Sequence, residues 1–169
     1  MANLLIVELP GGNDTDILKA TKRLGHSFTF LTQNIAVYKK NSEVFDWVLQ
    51  AFEVLESKSF EYADIERLVE ESSRRRKIDG ILCLLDIRLI ESSKLAEKFG
   101  LKYLNSISAA LLRDKYSVRA RLKECGIEQP PFALATTNAD VSSAIEKIGP
   151  PLLMKPSDGY GSQNILTLQ

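Results

Sequence analysis

Leu4-Leu5-Ile6-Val7 is a short unbroken apolar run that stops at Pro10-Gly11-Gly12. Four apolar residues bounded by turn formers predict a strand buried on both faces. Working outward, Asp14 or Thr15 is expected to cap a helix with Ile17, Thr21 and Leu24 in register and Gly25 as its stop. Ser27 to Leu31 reads as a second strand, with Phe28 and Phe30 on one face. A short helix follows through Val44, Phe45, Val48 and Leu49, then a strand from Phe52 to Leu55. Ile65, Leu68 and Val69 set a helical stripe that ends in Arg74-Arg75-Arg76-Lys77. Ile81-Leu82-Cys83-Leu84-Leu85 is a further buried strand, and a helix through Leu95, Ala96 and Phe99 stops at Gly100. Strands alternating with amphipathic helices predict an α/β unit, a parallel sheet with helices on its faces, over residues 1–105.

From Ser106 the rhythm changes. One long helix is expected to run from Ser106 to about Glu124 and to stop at Gly126. Gln129-Pro130-Pro131 breaks the chain, and Phe132 to Thr136 alternates like a strand. Thr137 or Asn138 caps a helix carrying Val141, Ala144, Ile145 and Ile148, ended by Gly149-Pro150. Leu152 to Lys155 is a strand, Pro156 to Ser162 a glycine-bearing loop, and Ile165 to Leu168 a second strand. Residues 106–169 therefore read as a separate, partial α+β lobe.

Composition narrows the function classes. The 169 residues carry 22 basic and 22 acidic side chains, with 44% hydrophobic residues, as in ordinary globular proteins. Neutral charge argues against a general nucleic-acid binder. Two cysteines and one histidine leave little for a disulfide framework, a zinc site or a Ser–His triad. No apolar run reaches the roughly 20 residues of a membrane helix, and the N-terminus lacks a signal-peptide pattern. A cytoplasmic address with reduced thiols is expected.

Two lysines stand out. On the wheel of a continuous helix Lys115 falls beside Leu111, Val118 and Leu122. An ammonium there needs a partner, because burying it unpaired is costly. Snorkelling to water or to Asp114 is the plain alternative. Lys155 shares a strand face with Leu153 and precedes Ser157-Asp158-Gly159-Tyr160-Gly161-Ser162. Glycines let successive N–H groups point at one anion, and a nearby lysine adds charge. The same loop reads equally as a glycine-bearing hairpin turn. It is not a Walker loop, since Gly-Lys-Ser/Thr is missing.

Taken in order, Asp114-Lys115, Arg119, Leu122 to Pro130, Ile148-Gly149-Pro150-Pro151-Leu152-Leu153-Met154-Lys155-Pro156 and Gly159-Tyr160-Gly161-Ser162 resemble the opening of an ATP-grasp domain. That family includes biotin carboxylase and amino-acid ligases. Leu24-Gly25-His26, Asp79-Gly80-Ile81 and Phe99-Gly100-Leu101 look like the Rossmann-like domain that precedes it in these enzymes. The resemblance implies that Lys115 and Lys155 contact the phosphates of ATP, with Gly159, Gly161 and Ser162 in a flap above them. It implies magnesium, and activation of a carboxylate as an acyl phosphate for attack by an amine. Phosphoryl transfer is served mainly by positioning and by cations that offset phosphate charge.

The sequence also departs from the family pattern. Gln163-Asn164 stands where many members carry a further glycine. Fourteen residues follow Lys155, with Asp158 their single carboxylate, whereas the family's magnesium ligands lie in a downstream lobe. The chain is therefore expected to be a truncated ligase, inactive alone, or a non-catalytic nucleotide- or partner-binding module. Ile165-Leu166-Thr167-Leu168 reads as an apolar strand with an open edge, which invites self-association.

Smaller candidates lie elsewhere. Asp86 ends a buried strand, where open α/β sheets place ligands, and Gly11, Gly12 and Asn13 reach a similar edge. The resemblance implies that this edge can help hold the non-nucleotide substrate; alternatively Asp86 caps the next helix. Leu84 to Leu89 resembles the phospho-acceptor strand of response-regulator receivers, but no acidic pair follows the first strand. Pro10-Gly11-Gly12-Asn13 is not a dinucleotide fingerprint. Cys83 is expected to be a small buried apolar residue, and Arg74 to Lys77 to top a helix C-terminus, where cations are favourable.

Overall fold

A computed structural model describes residues 1–12 and 14–168. The chain divides into two compact units, Met1–Ser106 and Ile107–Gln169.

The first unit is doubly wound. Strands β1 (Asn3–Val7), β2 (Ser27–Thr32), β3 (Glu53–Glu56) and β4 (Gly80–Cys83) form an all-parallel sheet in the order β3-β2-β1-β4. The period-2 alternation of a strand sends Leu5 and Val7 to one face and Ile6 to the other. On the first face they pack with Leu31, Leu55 and Ile81 against Ile65 and Val69 of α3 (Tyr62–Arg75) and Leu95 of α4 (Leu89–Phe99). On the second face Ile6, Phe28 and Phe30 meet Leu18 of α1 (Asp16–Arg23) and Val44 and Val48 of α2 (Ser42–Val48). Phe28 and Phe30 share a face, as their spacing predicts. Each such side chain contributes about 1.5–3 kcal/mol when fully buried.

Several local expectations are refined or met. At the start of α1 the N-cap residue is Thr15, but its side chain makes no capping bond; the Asp14 carboxylate accepts from the Asp16 amide instead. Strand β4 ends at Cys83, two residues early, and Leu84 is exposed. The basic run at the end of α3 is paired with acids: Arg74 with Glu70, Arg75 with Glu53 and Lys77 with Asp79. Cys83 is buried, and that burial raises its thiol pKa, so the thiolate is disfavoured.

The second unit begins with a break that the periodicity does not show. The expected long helix is two, α5 (Ser106–Arg113) and α6 (Lys115–Glu124), parted at Asp114. Asp114 is extended and its carboxylate accepts from the Ser117 amide, so it acts as an N-cap. Phe132 to Thr136 is not a strand; Phe132 instead meets Tyr116 edge-on at 5.6 Å between ring centres. Helix α7 (Asn138–Ile148) starts at a full capping box between Thr137 and Asp140. Strands β5 (Leu152–Met154) and β6 (Leu166–Leu168) pair antiparallel, Leu152 opposite Leu168 and Met154 opposite Leu166.

Candidate functional site

Each unit brings candidate residues together. In the first, β1, β2 and β3 run to one side, and β4 lies on the other side of β1. The topological switch therefore falls between β1 and β4, where open α/β sheets bind ligands beyond the strands' carboxyl ends. A crevice of about 240 Å³ opens at that edge, lined by Glu8, Leu9, Gly11, Gln33, Tyr38 and Leu85 among others. Gly11 lines it, and Gly12 belongs to the same single turn of 3-10 helix, Pro10–Gly12. Asn13 lies outside the described residues. Asp86 is exposed at the first position of another 3-10 turn, and neither that turn nor α4 takes a side-chain cap from it.

The residues that organise this edge have no local signal in the sequence. Arg88 donates through Nε to Glu8 Oε2 at 2.8 Å and through Nη2 to Gln33. Its guanidinium carbon stands 3.8 Å from the centre of the Phe60 ring. Glu8 Oε1 accepts from the Gln33 amide at 2.9 Å. Arg88, which follows β4, thus ties together residues that follow β1, β2 and β3. Glu8 and Phe60 both sit at positive φ, 52° and 53°, a region that a bulky side chain rarely enters. Tyr38 donates no charge here: burial pushes its hydroxyl pKa up, and its oxygen accepts from the Leu9 amide.

In the second unit the candidate lysines meet one loop in different ways. Lys115 is the first residue of α6, so its place follows from the cap at Asp114 and not from a stripe running through α5. Its backbone N–H donates to Ser157 O at 2.9 Å, and its ammonium donates to the carbonyls of Ser157 and Gly159. The ammonium therefore has two carbonyl partners, which replaces both snorkelling and pairing with Asp114. An ammonium carries three donors, so one is left for another acceptor. Lys155 is exposed just past β5, and among the described residues it makes no ion pair; Leu153, on the same strand face, is itself 66% exposed.

The loop between β5 and β6 has a root and a tip. At the root, Arg113 donates to Asp158 O at 2.7 Å, and the Ser157 hydroxyl donates to Asp114. Hydrogen bonds from the Ser117 hydroxyl, the Ser157 hydroxyl and the Ser117 amide hold the Asp114 carboxyl at a pKa of about 2. Gly159 lies so close to Pro156 that a Cβ would meet the proline ring carbon at 3.1 Å. At the tip, Gln163 N–H donates to Tyr160 O across Gly161 and Ser162, both at positive φ of 61° and 56°. That is the pattern of a primed hairpin turn, for which a glycine at the first central position is well suited. The structure thus brings Lys115 and Gly159 into contact and sets Gly161 and Ser162 in the exposed turn beyond.

Sequence reasoning missed Arg113, Asp114 and Ser157 as a group. The available signal was an aspartate amid a supposed nineteen-residue helix (Ser106–Glu124), at a position where capping chemistry is common. Among the described residues, no three His, Cys, Asp or Glu side chains converge on one point. No helix among them is long and apolar enough to cross a membrane.

No family model matches the chain. An uncharacterised protein of Sinorhizobium fredii, y4rH, is 26% identical over 96% of this chain and 33% of its own length. Alanine–anticapsin ligase of Bacillus subtilis is 29% identical over 47% of this chain and 17% of its own. Among solved structures, the L-amino acid ligase of Bacillus licheniformis matches 99% of this chain and 39% of its own at 23% identity, with a TM-score of 0.77. N5-carboxyaminoimidazole synthetase of Staphylococcus aureus, solved with ADP, matches 98% and 41% at 20% identity, with a TM-score of 0.74. These two enzymes are ATP-grasp ligases, and the chain has the fold of about two fifths of their length. It spans a third or less of the curated relatives named here.

Proposed function

We propose that this chain is the opening part of an ATP-dependent ligase of the ATP-grasp kind, with Lys115, Lys155 and the loop from Gly159 to Ser162 serving the nucleotide phosphates. The observation that carries the reading is the match of 99% of the chain, across both units, to an L-amino acid ligase. The chemistry at the loop supports it. Lys115 keeps a donor free after meeting two carbonyls, Lys155 is exposed two residues before Ser157, and the turn at Gly161-Ser162 stands in solvent. Two cations with exposed backbone amides suit a polyphosphate.

In this reading ATP, when bound, supplies the phosphoryl group that activates a substrate carboxylate for attack by an amine. Lys115 and Lys155 bind and orient the phosphates, and the loop limits water at them. The crevice at Gly11, with Gly12 and Asp86 at the same edge, is proposed to help hold the acid or the amine, and Asn13, next in sequence, is proposed to share that role. Magnesium would be held by carboxylates other than those described here. A cytoplasmic setting, and self-association through the exposed β6 strand, belong to the same proposal.

The chain by itself is expected not to turn over ATP. With ATP, magnesium and a panel of amino acids, phosphate release should stay at background. Steady release that vanishes in Lys155→Ala would overturn that expectation. Calorimetry should show ATP or triphosphate binding that weakens with salt and is lost in Lys115→Ala or Lys155→Ala. Equal heats from the wild type and both variants would remove the phosphate reading. It would favour a module that binds by another surface.

A further inference from the structure

Asp114 parts α5 from α6, and with Arg113 and Lys115 on either side it grips Ser157, Asp158 and Gly159. Arg113 holds Asp158 O, Asp114 holds the Ser157 hydroxyl, and Lys115 holds the carbonyls of Ser157 and Gly159. Beyond Gly159 the grip ends. The tip from Tyr160 to Asn164 is closed by the Gln163–Tyr160 hydrogen bond and is otherwise exposed or half-exposed.

Among these contacts one is made by a side chain at each end. The Asp114 carboxylate uses one oxygen to cap α6 through the Ser117 amide and the other to accept from Ser157. A single group thereby fixes both the first turn of α6, which begins with Lys115, and the start of the loop two residues past Lys155. Ordering a loop at the moment of binding costs conformational entropy. A root fixed beforehand removes part of that cost and sets the spacing of the two cations.

We infer that Asp114 and Ser157 are a positioning pair, which touches no phosphate itself but holds the Lys115 end and the Lys155 end of the site in register. The geometry stands on its own; the consequence for binding rests on the phosphate reading proposed above.

Ser157→Ala is the clean test, because it removes the hydroxyl and leaves the Asp114–Ser117 cap and every backbone contact in place. The Lys115 amide, whose partner is Ser157 O, reports the grip without any ligand. Its hydrogen exchange should quicken about tenfold, the scale of one hydrogen bond to a charged acceptor. Val141, whose amide donates to Thr137 O at the start of α7, should keep its wild-type rate, and Ser157→Thr should restore Lys115. Inorganic triphosphate should bind Ser157→Ala several-fold more weakly than wild type, with recovery in Ser157→Thr. An unchanged Lys115 amide in Ser157→Ala overturns the inference. So does equal triphosphate affinity in wild type and Ser157→Ala, which removes the positioning role alone. A wild type that binds no triphosphate removes the phosphate site and the role together, while the Lys115 amide still reports whether the grip exists.

Discussion

Residues 1–106 bury an apolar core on both faces of one sheet, whereas residues 107–168 leave most of their apolar side chains half-buried or exposed. Among the described residues, every buried apolar residue other than Ala109 belongs to the first unit. In the second, Leu153 is 66% and Leu166 55% exposed, although both lie in strands. Its local order comes from polar contacts at helix starts and at the loop root: the Thr137–Asp140 capping box, the Asp114 cap and the grip on Ser157 to Gly159. A network of that kind can be specific without being strong, because an exposed hydrogen bond adds only about 1 kcal/mol net.

The largest expected effect sets the two kinds of order against each other. Phe30, fully buried between β2 and the helices on its face, should cost about 3–5 kcal/mol as Phe30→Ala in denaturant unfolding of the first unit. Leu153→Ala should stay within about 0.5 kcal/mol, as surface changes do. A large loss from Leu153→Ala would break the comparison, since it would mean that β5 is covered in solution.

A middle-sized effect is expected at the strand ends. The Glu8 and Arg88 side chains are 12% and 14% exposed. Glu8→Gln should cost about 2 kcal/mol, because it strips the charge from a hydrogen-bonded, largely desolvated pair. The loss should appear in the exchange of amides near Gln33 and Arg88 and leave α7 untouched.

The smallest effects belong to the second unit. Thr137→Ala should cost the α7 start about 1 kcal/mol, read as faster exchange of its first amides. Acid should act at the same place. The Thr136 amide, then the Thr136 and Thr137 hydroxyls and the Thr137 amide, hold Asp140 at a pKa of about 2 against an ordinary 3.8. A depressed carboxylate stabilises the fold above its ordinary pKa and loses that contribution as pH falls through the folded value. Protection at α7 should therefore fall between about pH 4 and pH 2, and Asp140→Asn should flatten that profile.

The first unit was legible because its physics is written locally. Leu4 to Val7 and Ile81 to Cys83 are continuous apolar runs, and helices between them carry regular stripes, so strand, helix and parallel pairing follow from spacing alone. Its edge network was not legible, because Glu8 and Arg88 meet across 80 residues of sequence with no pattern to link them. In the second unit the helix stripe misled. Leu111, Val118 and Leu122 keep a helical phase through Asp114, yet the aspartate's capping bond breaks the helix there. Lys115 was singled out on that false wheel, and its real setting at a helix start beside a loop is the stronger reason to notice it. Phe132 to Thr136 alternates in sequence but has no partner strand among the described residues, and alternation without pairing makes no strand.

The proposed polyphosphate site lies at Lys115, Lys155 and the loop of the second unit, and the crevice of the first unit is proposed to serve another ligand. Titrating inorganic triphosphate into the isotope-labelled chain and following every backbone amide tests this directly. Shifts should be confined to Lys115 and to Lys155 through Ser162 and be diminished by salt, with Gly11, Gln33 and Asp86 unmoved. Shifts gathered at Gly11, Gln33 and Asp86, or no shift from Lys155 to Ser162 at millimolar triphosphate, would contradict it.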